Sequence, residues 1–75
     1  MKFKVNKNYR YFVYNVCEKT IFAGNEYQED AREVCAEFNE ISNKPNIYKV
    51  YTAKHIINKL NINPYDFKYW SNLTK

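Results

Sequence analysis

From Tyr27 to Ile41 the apolar residues are Tyr27, Ala31, Val34, Cys35, Phe38 and Ile41, a spacing of threes and fours that a helix gathers into one stripe. The same stretch sets Glu26, Glu29, Glu33, Glu37 and Glu40 on the other side, in a row about 20 Å long at 1.5 Å per residue. A helix divided in this way must lay its stripe on another element, and that requirement limits what the rest of the chain can be. Asn25 with Gln28 three residues later reads as a capping box, and Glu26, Glu29 and Asp30 suit the positive end of the helix dipole. Asn43, Lys44 and Pro45 stop the helix.

The surface that the stripe needs lies just upstream. Residues 9–17, YRYFVYNVC, are aromatic and β-branched, and a second run, Thr20 to Ala23, follows Glu18 and Lys19; together they read as a β-hairpin broken by Gly24 and Asn25. With Glu18 and Lys19 at the tip, Val16 faces Ile21 and Tyr14 faces Ala23. That register gathers Phe12, Tyr14, Val16, Ile21 and Ala23 on the face expected to take the helix. The opposite face carries Tyr11, Val13, Asn15, Cys17, Thr20 and Phe22, which is apolar for a surface open to water. The tip lacks the Asn-Gly signal of a two-residue turn, so a four-residue loop fits equally well.

Ile47 to Tyr51 reads as a third strand, and Thr52 as the cap of a helix through Ala53, Ile56, Ile57 and Leu60 to about Asn61. Asn63 and Pro64 resemble the start of another helix, with Phe67, Trp70 and Leu73 on its apolar side. Met1 to Val5 is a candidate short edge strand. The expected class is α+β in the order ββαβαα. It comprises a small antiparallel sheet, made of a hairpin and a third strand, packed by one long amphipathic helix, with two short C-terminal helices.

Seventy-five residues make one domain, 1–75, and such a chain buries only about 60% of the surface it exposes when unfolded, which argues against a deep cleft between two lobes. Aromatic residues are 19% of the chain, so a folded domain with ring surface left at its exterior is expected. No long apolar segment follows the basic start, and the longest apolar run, as at Tyr11 to Tyr14, is far short of the roughly 20 residues that span a bilayer. A soluble, cytoplasmic protein with no membrane partner is expected. Cys17 and Cys35, outside any CxxC, read as reduced, buried thiols. Usage is weighted toward Asn, Lys, Tyr and Ile, as AT-rich coding gives, and in this the chain resembles short accessory proteins of phages and mobile elements in low-GC hosts.

Enzymatic constellations are nearly absent. His55 is the only histidine, it stands one step off the apolar stripe of its helix, and no Ser or Cys beside it makes a nucleophile motif. Cys17, Cys35 and His55 lack the paired spacing of a zinc site, and one glycine cannot make a GxGxxG or a P-loop. No metal, cofactor or catalytic residue is expected.

The formal charge of +4 is unevenly distributed. Lys2, Lys4, Lys7, Arg10 and Lys19 against Glu18 make the first segment basic, and Lys44, Lys49, Lys54, Lys59, Lys68 and Lys75 against Asp66 do the same for the last. Between them, Glu26, Glu29, Asp30, Glu33, Glu37 and Glu40 stand against Arg32 alone. The leading expectation is a non-enzymatic protein that binds and modulates or inhibits a host protein. Its candidate contacts are Glu29, Glu33, Glu37 and Glu40 with exposed tyrosines, Tyr9 and Tyr11, since a carboxylate row steers association and can occupy phosphate sites.

The alternative is a small nucleic-acid-binding regulatory module. Ala53 to Asn72 resembles a helix-turn-helix unit, with Leu60, Ile62, Phe67 and Trp70 at core places, although Ile57 stands where a small residue is usual and Asn61 replaces the turn glycine. The resemblance implies a second helix exposing Tyr65, Asp66, Lys68, Tyr69 and Asn72. The candidate contacts for nucleic acid are Lys7, Arg10, Lys54, Lys59, Lys68 and Tyr69, with Tyr9, Tyr11 and Tyr14 interleaved as stacking surfaces.

Overall fold

The computed structural model describes residues 5–43 and 47–71. β1 (Tyr11–Asn15) and β2 (Thr20–Asn25) form the hairpin, α1 (Gln28–Ser42) follows, and β3 (Tyr48–Thr52) returns to the sheet. α2 (Ala53–Lys59) continues from β3 without a loop, and a 3-10 turn at Phe67–Tyr69 comes last. The fold is a small α+β one with a three-stranded antiparallel sheet, ordered β2-β1-β3, and two helices. The Met1 to Lys4 part of the candidate edge strand, the Lys44 and Pro45 helix stop, Asn72 and Leu73 lie outside the described residues.

β1 is the central strand, and Phe12 and Val13, which point to opposite faces of the sheet, are both fully buried. Two layers therefore cover the sheet. On one face Phe12, Tyr14 and Ile21 cluster with Val5, Ile56 and Trp70, and Tyr51, Leu60, Ile62, Tyr65 and Phe67 pack around them. The Phe12 ring is met edge-on by Tyr9, Tyr65 and Trp70 at centroid separations of 6.4, 5.7 and 6.3 Å. On the other face α1 buries Ala31 and Cys35, and its Phe38 ring lies 5.9 Å from Phe22 and 5.2 Å from Tyr48.

This corrects the expected packing, in which α1 covered Phe12, Tyr14, Val16, Ile21 and Ala23. The helix instead takes the side of Val13, Phe22 and Tyr48. Small residues at Ala31 and Cys35 let its backbone approach that side, while the larger aromatic face is left for the C-terminal third of the chain. The register differs as well: Tyr14 pairs with Ile21, and a bulge after Val13 leaves Phe22 unpaired and sets Ala23 opposite Val13. The hairpin closes with a four-residue loop between Asn15 and Thr20. The Asn15 side-chain oxygen accepts from the Cys17 and Glu18 amides at 2.9 and 2.8 Å, which fixes the loop and forces Lys19 into the left-handed region at φ 59°.

The α1 cap also differs from expectation. The N-cap is Tyr27, without a side-chain bond, and the Asn25 side-chain oxygen is buried with no partner, so the Asn25–Gln28 capping box is not formed. Tyr27 and Ile41, at the two ends of the expected stripe, are 66% and 79% exposed. The helix stops at Asn43, as expected, and Asn43 takes the left-handed conformation. Thr52 caps α2, accepting from the His55 amide at 3.1 Å.

The second C-terminal helix shrinks to one turn because its backbone groups are claimed by other partners. In a helix the Pro64 carbonyl would accept from the Lys68 amide; here it accepts from the Trp70 indole at 2.9 Å, and the Lys68 amide donates to the Asp66 side chain. Asn63 makes a turn of its own, its side chain accepting from Tyr65 and its carbonyl from Asp66. The helix-turn-helix pair therefore does not form.

Both sheet edges are covered locally. Ser71 donates to the Ile21 carbonyl and Trp70 bridges to Ile21 beside β2. Along β3 the hydrogen-bond alternation turns the Tyr48 amide and carbonyl away from β1, and the Asn39 side chain of α1 takes both, at 3.0 and 3.1 Å, as a neighbouring strand would.

Two stability measurements follow from these features. Lys19→Gly removes the cost of a left-handed side-chain residue and is expected to stabilise the fold by about 1 kcal/mol, raising Tm by about 4–8 °C in a calorimetric scan. Asn39→Asp retains an acceptor for the Tyr48 amide but sets a carboxylate against the Tyr48 carbonyl. A loss of about 1–3 kcal/mol in urea unfolding is expected, and an unchanged midpoint would show that Asn39 does not hold this edge.

Candidate functional site

Because α1 and the C-terminal segment cover opposite faces of the sheet, charges that are separated along the chain are also separated in space. Glu29, Asp30, Glu33, Glu37 and Glu40 are all exposed on α1. Among the described residues none of them has a Lys or Arg within ion-pair distance; the single such pair is Lys68 with Asp66 at 4.0 Å. Lys19, Lys49, Lys54, Lys59 and Lys68, also exposed, belong to the hairpin loop, β3, α2 and the 3-10 turn.

The sequence-derived candidates do not all fall together. Tyr11 pairs with Thr52 and Asn25 on the sheet face that takes α1 and is half-buried. Tyr9 is half-buried on the opposite face, its ring lying so close against Gly24 that an added Cβ would collide with it, and its carbonyl accepts from the Tyr65 hydroxyl at 2.7 Å. Tyr9 thus serves the core, and the one exposed tyrosine is Tyr27. Of the candidates for nucleic acid, Lys7, Arg10, Lys54, Lys59 and Lys68 are exposed, whereas Tyr69 packs against the core with the Lys68 ammonium 5.0 Å from its ring centre. Tyr65, expected on the surface of a second helix, is half-buried beside Phe12.

The two cysteines have different surroundings. Cys35 is buried, as expected, and donates to the Tyr48 carbonyl at 3.1 Å; burial pushes its thiol up, against a smaller opposing effect of the Asn39 amide. Cys17 is exposed in the hairpin loop, which corrects the expectation that both are buried, because the loop begins two residues earlier than a two-residue tip at Glu18 and Lys19 would have it. His55 is exposed and stacks on Tyr51 at 4.4 Å with the rings 10° from parallel. Among the described residues no group of three or more His, Cys, Asp or Glu is placed to hold a metal ion, and no helix is long and apolar enough to cross a membrane.

One groove was not legible from the sequence. Tyr14, Val16, Lys19, Tyr51, Lys59, Leu60 and Ile62 line a depression of about 400 Å³ between the hairpin loop and the end of α2. Its residues come from three separate stretches of chain, so no spacing announces it. The Tyr14 and Tyr51 rings are 5.8 Å apart, and burial, reinforced by the Tyr51 phenol, pushes the Tyr14 phenol above its ordinary range. Lys49 lies directly opposite Tyr14 in the β1–β3 register and is exposed.

No protein-family model, curated protein or solved structure matches this chain.

The thiol environments make a simple prediction. A thiol reagent such as an aromatic disulfide is expected to modify Cys17 rapidly in the native protein and Cys35 only on unfolding, and Cys17→Ser removes the fast phase. Two equally fast thiols would contradict the burial of Cys35.

Proposed function

We propose that this is a non-enzymatic binding protein that docks on a basic surface of another protein through the outer face of α1 and thereby modulates or inhibits it. The observation that carries the reading is the row Glu29, Glu33, Glu37 and Glu40, exposed and without cationic partners among the described residues, with exposed apolar side chains at both ends of the helix, Tyr27 and Ile41. Unpaired surface carboxylates keep their full field for steering a cationic partner. An exposed Tyr and Ile provide the apolar anchors that a purely electrostatic contact lacks. A partner with lysines or arginines around an apolar depression has the matching chemistry, and the accessory-protein character suggested by the composition agrees with such a role.

The test pairs capture with stability. Tagged protein retains a partner from host lysate, identified by mass spectrometry, and the purified pair is then titrated. Glu33→Gln, Glu37→Gln and Glu40→Gln together are expected to weaken the pair by about tenfold or more, since each rim charge contributes up to about 1 kcal/mol, with Tm unchanged. Ile41→Ser is expected to weaken it further. Undiminished affinity in both variants rejects this face.

A further inference from the structure

We propose that the groove between the hairpin loop and the end of α2 binds a nucleotide unit of single-stranded nucleic acid, its base against Tyr51 and within reach of the Tyr14 hydroxyl, and its phosphates beside Lys19, Lys49 and Lys59. The site lies across the sheet from α1 and does not depend on what α1 binds.

Three observations point to this occupant. First, the shape fits: a volume of about 400 Å³ falls within the range of small-ligand sites, and the walls are ring and aliphatic surface from Tyr14, Val16, Tyr51, Leu60 and Ile62. Second, Tyr14 is only 5% exposed, its hydroxyl bonds to no described residue and is not sealed from solvent, and the residue lines the groove, so a polar atom entering there can reach it. Third, Lys19 and Lys59 line the groove, Lys49 stands opposite Tyr14, and none of the three has a carboxylate within ion-pair distance among the described residues. Glu18 beside Lys19 is exposed and does not line the groove, and Asp66 is paired with Lys68.

A phosphate chain carrying flat bases satisfies all three features at once. Bases stack on aromatic rings whatever their identity, and the His55 imidazole already backs Tyr51 as one more plane of such a stack. An acidic peptide would match the lysines but bring no planar base for the Tyr51 ring. Duplex DNA would hide its bases from a pocket of this size.

The experiment uses fluorescein-labelled oligothymidine and oligouridine of about 12 nucleotides, followed by polarisation, with duplex DNA and a polyglutamate peptide as competitors. Binding of one or both single strands at about 50 mM salt is expected, weakening steeply as salt is added. Lys19→Gln with Lys59→Gln is expected to weaken it about tenfold and to flatten the salt slope by about 0.7 for each phosphate left without its lysine. Tyr14→Phe, which keeps the ring, is expected to cost about fivefold, while Lys7→Gln and Lys68→Gln stay within about twofold of the parent. These lysines are exposed, so an unchanged melting curve is expected and separates site loss from unfolding. The proposal is overturned by absent binding of both strands at low salt, by equal losses on substituting Lys7 or Lys68, or by competition from duplex or polyglutamate as effective as from the single strand.

Discussion

Everything in this fold depends on β1 having no side that can face water. Phe12, Val13, Tyr14 and Asn15 are consecutive and all buried, so side chains pointing to opposite faces of one strand must each be covered. A three-stranded sheet with a single helix would leave one of these faces wet. The chain meets the demand with α1 on the Val13 side and an irregular, aromatic C-terminal segment on the Phe12 side, pinned by the Trp70 indole on the Pro64 carbonyl and the Tyr65 hydroxyl on the Tyr9 carbonyl. In so short a chain, fixing a few rings around Phe12 joins residues more than fifty positions apart.

The separation of charge is a consequence of the same constraint. The acidic segment becomes α1 on one side of the sheet, and most of the C-terminal lysines follow β3 to the other side. Neither row can neutralise the other across an intervening layer of buried side chains, so both fields remain open to solvent. The α1 carboxylates and the lysine-rimmed groove are thus two surfaces of opposite sign on one small body.

Legibility was greatest where the cause was local. The stop of α1 at Asn43, the Thr52 cap and the β-branched run of β3 each depend on neighbours a few residues away, and each is present. The failures have distant causes. Asn25 and Gln28 have the spacing of a capping box, but Asn25 is held in β2 opposite Tyr11, which removes it from the helix start. Asn63 and Pro64 have the chemistry of a helix start, but Trp70 and Asp66 take the groups that a second turn would need. Asn39, whose amide covers the β3 edge, gave no signal at all, since its role exists only when Tyr48 stands beside it.

The amino-acid order alone determined the three strands, α1 and α2 and which segment carries the negative charge, because periodicity and capping act within about a turn of chain. It could not decide which face of the hairpin α1 would choose, because both faces are apolar and the choice rests on how small residues of the helix and large rings of the C-terminus divide the available volume. The bulge at Phe22, the reduction of the last helix to one turn, and the meeting of Tyr14, Lys19, Tyr51 and Lys59 around one groove were likewise settled only by packing, which weighs all the layers of the protein together.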